Sequence, residues 1–271
     1  MSETTDLAAA VARVGLPPIT HLPSVGSTND EALALADAGA AEFTSVLADE
    51  QRAGRGRRGR SWASPPGAGM YLSIIVRDEG LGAQVPLVTL AAGVAVAEAL
   101  VDVSGLPVEL KWPNDVVIGR PWRKLAGILC EASALGTSQG VMVVGVGANL
   151  LRAAYPPEVA GRATSLDAEC DGRVALVDLV VATLSRVREY VGHLRQGRRA
   201  VVLGRWREFG REALDNRPVS WHDSQGLRRG FACGVSDTGA LLVRAANPAS
   251  ELQRIEHLIA GDVQWEMVSR A

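Results

Sequence analysis

Apolar positions recur along this chain with two periods, one helical and one of extended strands. Helical spacing predicts a short helix over residues 6–15, closed by Leu16-Pro17-Pro18, which cannot continue it. Ser27-Thr28-Asn29-Asp30-Glu31 precedes an Ala/Leu-rich run, and Thr28 with Glu31 has the spacing of a capping box, so a second helix is expected to end near Gly39. Helical periodicity returns over 86–101, 174–195 and 199–213, before Asn216-Arg217-Pro218 breaks it. Apolar runs predict strands at 44–48, 108–111, 116–118, 124–131 and 141–149. After Pro218 only short strand-like runs remain, at 219–222, 227–235, 240–244 and 253–259, with a turn at Asp237-Thr238-Gly239. The expected class is α+β. A central mixed β-sheet flanked by helices occupies residues 1–214 and a small β domain residues 215–271, packed together because no low-complexity linker separates them.

Composition narrows the class. A hydrophobic fraction of 47% with 21% charged residues is that of a globular chain. Cys130, Cys170 and Cys233 are odd in number and far apart, which suggests neither a disulfide framework nor a CxxC metal site; a reducing cytoplasm is the expected setting. No apolar run is read as a membrane span, and the acidic N-terminus lacks a secretory pattern, so membrane insertion and secretion are not expected. A net charge of −2 gives the whole molecule no attraction for nucleic acid, yet the arginines are unevenly spread.

Four segments carry candidate chemistry. In QRAGRGRRGRSW, from Gln51 to Trp62, arginines alternate with glycines; glycine lets the backbone approach a ligand, and guanidinium forks donate to carboxylate or phosphate oxygens. Such a loop is expected to be mobile before it binds. An Arg/Gly nucleic-acid tract is the alternative, but the segment is single, lies between strands of an acidic chain and runs straight into Trp62 and a Pro-Pro turn. Lys111-Trp112-Pro113-Asn114-Asp115 ends a strand at a proline turn, where Asp115 could bind Mg²⁺, handle a proton or make only an Asx turn. Arg123-Lys124-Leu125-Ala126-Gly127-Ile128-Leu129 places a lysine at the head of an apolar strand, where it either snorkels outward or meets an anion. Gly145-Val146-Gly147-Ala148-Asn149 would let a nucleotide lie on a strand without side chains; it is neither a Walker loop nor a dinucleotide fingerprint. For Ser27 and Thr28 the competing reading is helix capping alone. Cys130 is read as packing, not catalysis.

In this order, STN, QRAGRGRRGRSW, KWPND, RKLAGIL and GVGAN resemble the biotin protein ligase family, as does Thr164-Ser165-Leu166; the likeness is specific from about residue 22 to 170 and looser beyond. The resemblance implies a biotin/lipoate ligase-like catalytic domain with a C-terminal SH3-like barrel. It implies biotin and ATP as substrates with Mg²⁺, transfer of biotin through biotinyl-5′-AMP to a lysine of a biotin carboxyl carrier domain, and the homodimer common in the family. It places Ser27, Thr28, Asn29, Gln51, Gly54, Arg55, Gly56, Arg57, Lys124 and Gly127 around biotin. Arg57, Arg58, Arg60, Trp62, Lys111, Asn114 and Asn149 fall around ATP or the adenylate. Lys124, Arg55, Arg57 and Asp115 are the expected catalytic residues, Asp115 also as Mg²⁺ ligand. Members that repress transcription carry a winged helix before STN; only 26 residues precede Ser27, so no DNA binding is expected. A lipoate- or octanoate-transferring enzyme of the same superfamily is the nearest alternative.

Overall fold

The computed structural model describes residues 3–172, 174–223, 226–245, 255–259 and 263–265. Its first sheet holds β1 (Ile19–Leu22), β2 (Ser45–Ala48), β3 (Gly69–Arg77), β4 (Glu109–Lys111), β5 (Asp115–Ile118), β6 (Arg123–Ser133) and β7 (Val141–Asn149). Their order is β1-β2-β3-β7-β6-β5-β4; β1 and β2 pair in parallel and the other neighbours antiparallel, so the sheet is mixed. The helices are α1 (Glu3–Arg13), α2 (Thr28–Asp37), α3 (Val88–Ser104), α4 (Leu166–Glu169), α5 (Leu176–Arg195), α6 (Arg199–Phe209) and α7 (Arg211–Leu214).

Period-two alternation sorts the central strands into two faces. Leu72, Ile74 and Val76 of β3, with Val144, Val146 and Ala148 of β7, enter the main apolar cluster with α3, α5 and α6. Ile75 and Val143 point the other way, onto Ala32 and Ala36 of α2. Further along that second face the side chains shrink to Ser73, Gly145 and Gly147, and the helix layer gives way to a pocket.

The stretch Gly82–Ser104, containing α3, is apolar and long enough to pass for a membrane span, contrary to the reading of its sequence, but most of it is buried within the fold. It is hydrophobic on all sides because α5, α6 and the sheet surround it. Of its two acids, Glu98 is buried and accepts hydrogen bonds from the Tyr190 hydroxyl at 2.8 Å and from Arg205 Nε at 2.8 Å.

The second sheet is antiparallel, in the order β11-β10-β9-β8-β12, from β8 (Arg217–Asp223), β9 (Gly226–Val235), β10 (Leu241–Ala245), β11 (Ile255–Leu258) and β12 (Gln264–Trp265). It is barrel-like, without closure among the described residues; Gln253 and Arg254 of the expected last run lie outside them. Val219, Trp221, Leu241 and Val243 enter the same cluster as α3 and Trp206, so the two sheets share one core. Trp112 Nε1 ties them further by donating to the Gly239 carbonyl at 3.0 Å.

The hydrophobic pattern does not single out β1 or β3. Eight of the nine residues of β3 are buried, so it shows no alternation, and it follows the Arg/Gly loop without a break. The capping box is also absent: Ser27 occupies the N-cap of α2 with no side-chain cap bond, and the Thr28 hydroxyl turns away from Glu31 to Gln51 Oε1, 3.0 Å distant.

Candidate active site

Strand register lays out the site in two rows across the sheet. Residues directly opposite on neighbouring strands share a face, so Lys111, Asp115, Gly127, Gly147 and Tyr71 form one row. Leu129, Gly145 and Ser73 form the next, two residues along each strand. The glycines create the space. A Cβ at Gly147 would come within 2.5 Å of the Trp62 indole, and one at Gly145 would land on Asn29 Oδ1. Trp62 therefore lies flat on the first row and Asn29 on the second.

Lys124 reaches this face through a β-bulge. Val116 pairs with Ala126 and Val117 with Lys124, leaving Leu125 as an extra residue on β6. Leu125 and Ala126 both enter the core, and Lys124 faces the same side as Gly127 instead of the hydrocarbon. Its Nζ is 2.5 Å from Asp115 Oδ1 and 5.1 Å from the Trp62 ring centroid. The nearby Lys111 ammonium is held below the usual lysine range, first by burial and then by repulsion from Lys124, Arg217 and Arg60, with Asp115 opposing.

Around the second row runs a connected polar chain. Gln51 Oε1 accepts from the Thr28 amide at 2.9 Å and its Nε2 donates to Ser64 Oγ at 2.9 Å. The Ser73 hydroxyl lies 2.7 Å from Thr28 Oγ1 and 2.6 Å from Asn29 Oδ1, and Asn29 Nδ2 donates to Glu131 Oε2 at 2.6 Å.

The Arg/Gly loop folds over both rows. Trp62 N–H donates to the Gly54 carbonyl and Gly56 N–H to that of Arg60, making a narrow hairpin with Arg58 and Gly59 in the left-handed region at its tip. Gly54 is required there, since a Cβ would meet the Trp62 carbonyl. Arg55 clasps the hairpin down: Asp30 of α2 takes two hydrogen bonds at 2.8 and 2.6 Å, and Glu131 of β6 a third at 2.8 Å. The Asp30 carboxyl is held below its usual range first by its hydrogen bonds to Arg55; burial opposes this, and the Arg55 charge adds a smaller lowering. Arg55 is thus already neutralised, and Arg57, which donates to Asn114 Oδ1 at 3.2 Å, stands nearer the first row.

Of the residues expected from the sequence, Ser27, Thr28, Asn29, Gln51, Arg55, Gly56, Arg57, Trp62, Asn114, Lys124 and Gly127 line this one pocket. Gly54 shapes the loop beneath it. Arg58 and Arg60 are exposed near the tip of the hairpin, and Lys111 and Asp115 extend the first row outward. Asn149 is buried and donates to the Thr164 carbonyl at 2.8 Å, fixing the segment against which Lys124 is hydrogen-bonded. Asp30, Ser64, Ser73 and Glu131 do not emerge from sequence motifs; Ser73 amid Leu72 and Ile74-Ile75-Val76, and a carboxylate four residues after Gly127, are the signals that mark two of them. Cys130 packs against the core, its thiol pushed up to about 11 by burial. Among the described residues no group of three His, Cys, Asp or Glu side chains could hold a metal.

The profile of the Biotin/lipoate A/B protein ligase family matches residues 24–149. A biotin–[acetyl-CoA-carboxylase] ligase of Paracoccus denitrificans is 34% identical over 82% of this chain and 92% of its own length. This chain belongs to the biotin protein ligase family. A second member, the bifunctional ligase/repressor BirA of Bacillus subtilis, is 32% identical over 81% of this chain and 67% of its own length. The biotin protein ligase of Aquifex aeolicus, solved in complex with biotin and ATP, superposes with a TM-score of 0.76 at 25% identity, covering 92% of this chain and 99% of the other. The family's sheet, helices and C-terminal antiparallel unit are those described above.

Proposed function

We propose that this chain is an ATP-dependent biotin–protein ligase. One observation carries the reading: a polar chain over Gly145 and an indole over Gly127 and Gly147 form two adjoining compartments, with Lys124 beside the second. The first compartment suits the ureido ring of biotin, whose donors and acceptors Asn29, Ser73, Thr28 and Gln51 can match. The second suits the adenylate. The Trp62 indole N–H is buried there and finds no acceptor among the described residues.

Adenylation requires the biotin carboxylate to attack the α-phosphorus of ATP, two negative partners. Lys124 and Arg57 supply the cations that offset this repulsion and stabilise charge on the phosphoryl oxygens, an effect of order 10²–10³ in rate per donor. Arg55 acts by holding the loop closed. Asp115 orients the Lys124 ammonium, and Lys111 extends the cationic row toward the departing pyrophosphate. Asp115 alone, already paired with Lys124, is no protein cage for Mg²⁺; the residues fit a metal carried mainly by ATP phosphates. Once formed, biotinyl-5′-AMP lies under the closed hairpin away from water until an acceptor lysine attacks its acyl carbon and AMP departs. The acceptor is the biotin carboxyl carrier domain of a carboxylase. In this reading the catalytic unit is 1–214 and the β unit 215–271.

The test is mass spectrometry of a purified carrier domain incubated with the chain, ATP, Mg²⁺ and biotin, with lipoate in a parallel tube. ATP-dependent addition of biotin to one lysine is expected. Addition of lipoate alone would replace the reading with that of a lipoate ligase, and no transfer to a competent carrier would end it.

A further inference from the structure

The 28 basic residues of this chain are 26 arginines and two lysines, Lys111 and Lys124. Both lysines sit beside Asp115 on the first row of the site. Everywhere else positive charge is carried by guanidinium, as at the exposed Arg13, Arg152, Arg162 and Arg207.

That distribution has a chemical meaning for an enzyme whose intermediate is a mixed anhydride. An unprotonated ε-amine attacks the acyl carbon; the bond from that carbon to the phosphate oxygen breaks, AMP leaves with the electron pair, and the amine proton passes to water. A guanidinium group stays protonated well above the range of a lysine and has delocalised nitrogen lone pairs, so it keeps the charge of a lysine without its nucleophilicity. Resting on the ligase reading above, we propose that the side chains of the outer surface form no stable amide with the protein's own acyl-adenylate, lasting side-chain self-acylation being confined to Lys111 and Lys124. Within the site Lys124 is ion-paired with Asp115 at 2.5 Å, and Lys111 stands opposite Asp115 in the sheet register.

The full chain is exposed to synthetic biotinyl-5′-AMP in one tube with serum albumin as a lysine-rich bystander. Hydroxylamine then clears thioesters from cysteines, and peptide mapping locates amide-linked biotin, with the N-terminal α-amine scored separately. Arg162→Lys and Arg207→Lys variants are treated alike; neither side chain belongs to the catalytic machinery. Albumin is expected to be labelled, the parent chain to carry side-chain amides only at Lys111 and Lys124, and each variant to gain one adduct at its new lysine. Amide-linked biotin elsewhere on the parent side chains, or new lysines that stay unlabelled beside labelled albumin, would overturn the proposal. Because the adenylate is supplied ready-made, these outcomes do not depend on the chain's making it. Failure to release pyrophosphate from ATP and biotin would count against the ligase reading alone.

Discussion

Alanine at Gly147 is the sharpest test of the two-compartment site. Its Cβ would stand 2.5 Å from Nε1 and Cε2 of Trp62, whereas ordinary carbon contacts fall at about 3.5–4.0 Å. The indole must retreat by about 1 Å, and its backbone gives it little freedom to do so: the Trp62 main-chain N–H donates to the Gly54 carbonyl and the Trp62 carbonyl accepts from the Ser64 hydroxyl. Gly147 does not have a left-handed φ, so alanine strains no backbone, and it is favoured over glycine in a strand by roughly 0.5–1 kcal/mol. The damage should therefore be functional. Misplacement of this size costs on the order of 10² in rate, about 3 kcal/mol in the barrier, and it should fall on the nucleotide side. Gly145→Ala, one row away, presses instead on Asn29, which Ser73 and Glu131 hold in place. Pyrophosphate release measured against ATP and against biotin, with calorimetric biotin binding in the absence of ATP, separates the two. Gly147→Ala should lose adenylation while retaining biotin binding, and Gly145→Ala should lose biotin binding itself. Parental kcat/KM in Gly147→Ala, or the same pattern in both variants, would refute the assignment.

Other expectations follow from the ion pairs. Glu131→Gln removes one arm of the Arg55 clasp; the pair is about a third exposed, so screening reduces its worth to about 1 kcal/mol, and the adenylate should escape several-fold faster in a dissociation assay. The Asp30 carboxyl titrates below its usual value, so its contribution to the clasp is present above about pH 4 and is lost as pH falls through the folded value; adenylate retention should drop with it, and less so in Asp30→Asn, where that arm is already weakened. Lys111 titrates below an ordinary lysine, so its charge disappears as pH rises through a value under 10.5. Adenylation should decline along that limb, and Lys111→Arg, which keeps its charge, should move the limb upward; an unmoved limb would exclude Lys111 as its origin. Glu98→Gln leaves Arg205 and Arg186 facing a neutral amide, and because both arginines can turn partly to water the cost should be about 1–3 kcal/mol in denaturant unfolding, with kcat/KM unchanged.

The Arg/Gly loop and Lys124 imply anion handling by residue type alone, whereas Asn29 and Trp62 are assigned to the same site by the resemblance to the family. The amphipathic and apolar runs locate β7 to the residue and the ends of α3 and α5 to within three residues. Long-range partners were not legible. Ser73 joins the pocket only because β3 lies between β2 and β7, and the Arg55 contacts with Asp30 and Glu131 cross separations of 25 and 76 residues. Capping failed for a related reason: Thr28 had two uses open to it, and the tertiary partner Gln51 outcompeted the local one. A helix as apolar as α3 reads alike whether protein or lipid surrounds it, and only the fold shows which.

The extra residue at Leu125 makes the placement of Lys124 a matter of counting. Along a strand, orientation works like a reading frame of two, and the insertion shifts that frame between Gly127 and Lys124. Substituting Leu125 by another apolar side chain would preserve the frame and disturb only packing. Deleting it would keep every functional group of the motif in the polypeptide, yet deliver an ammonium to the hydrocarbon layer and leave the pocket without one. At this position the chain should tolerate changes of letter far better than changes of length.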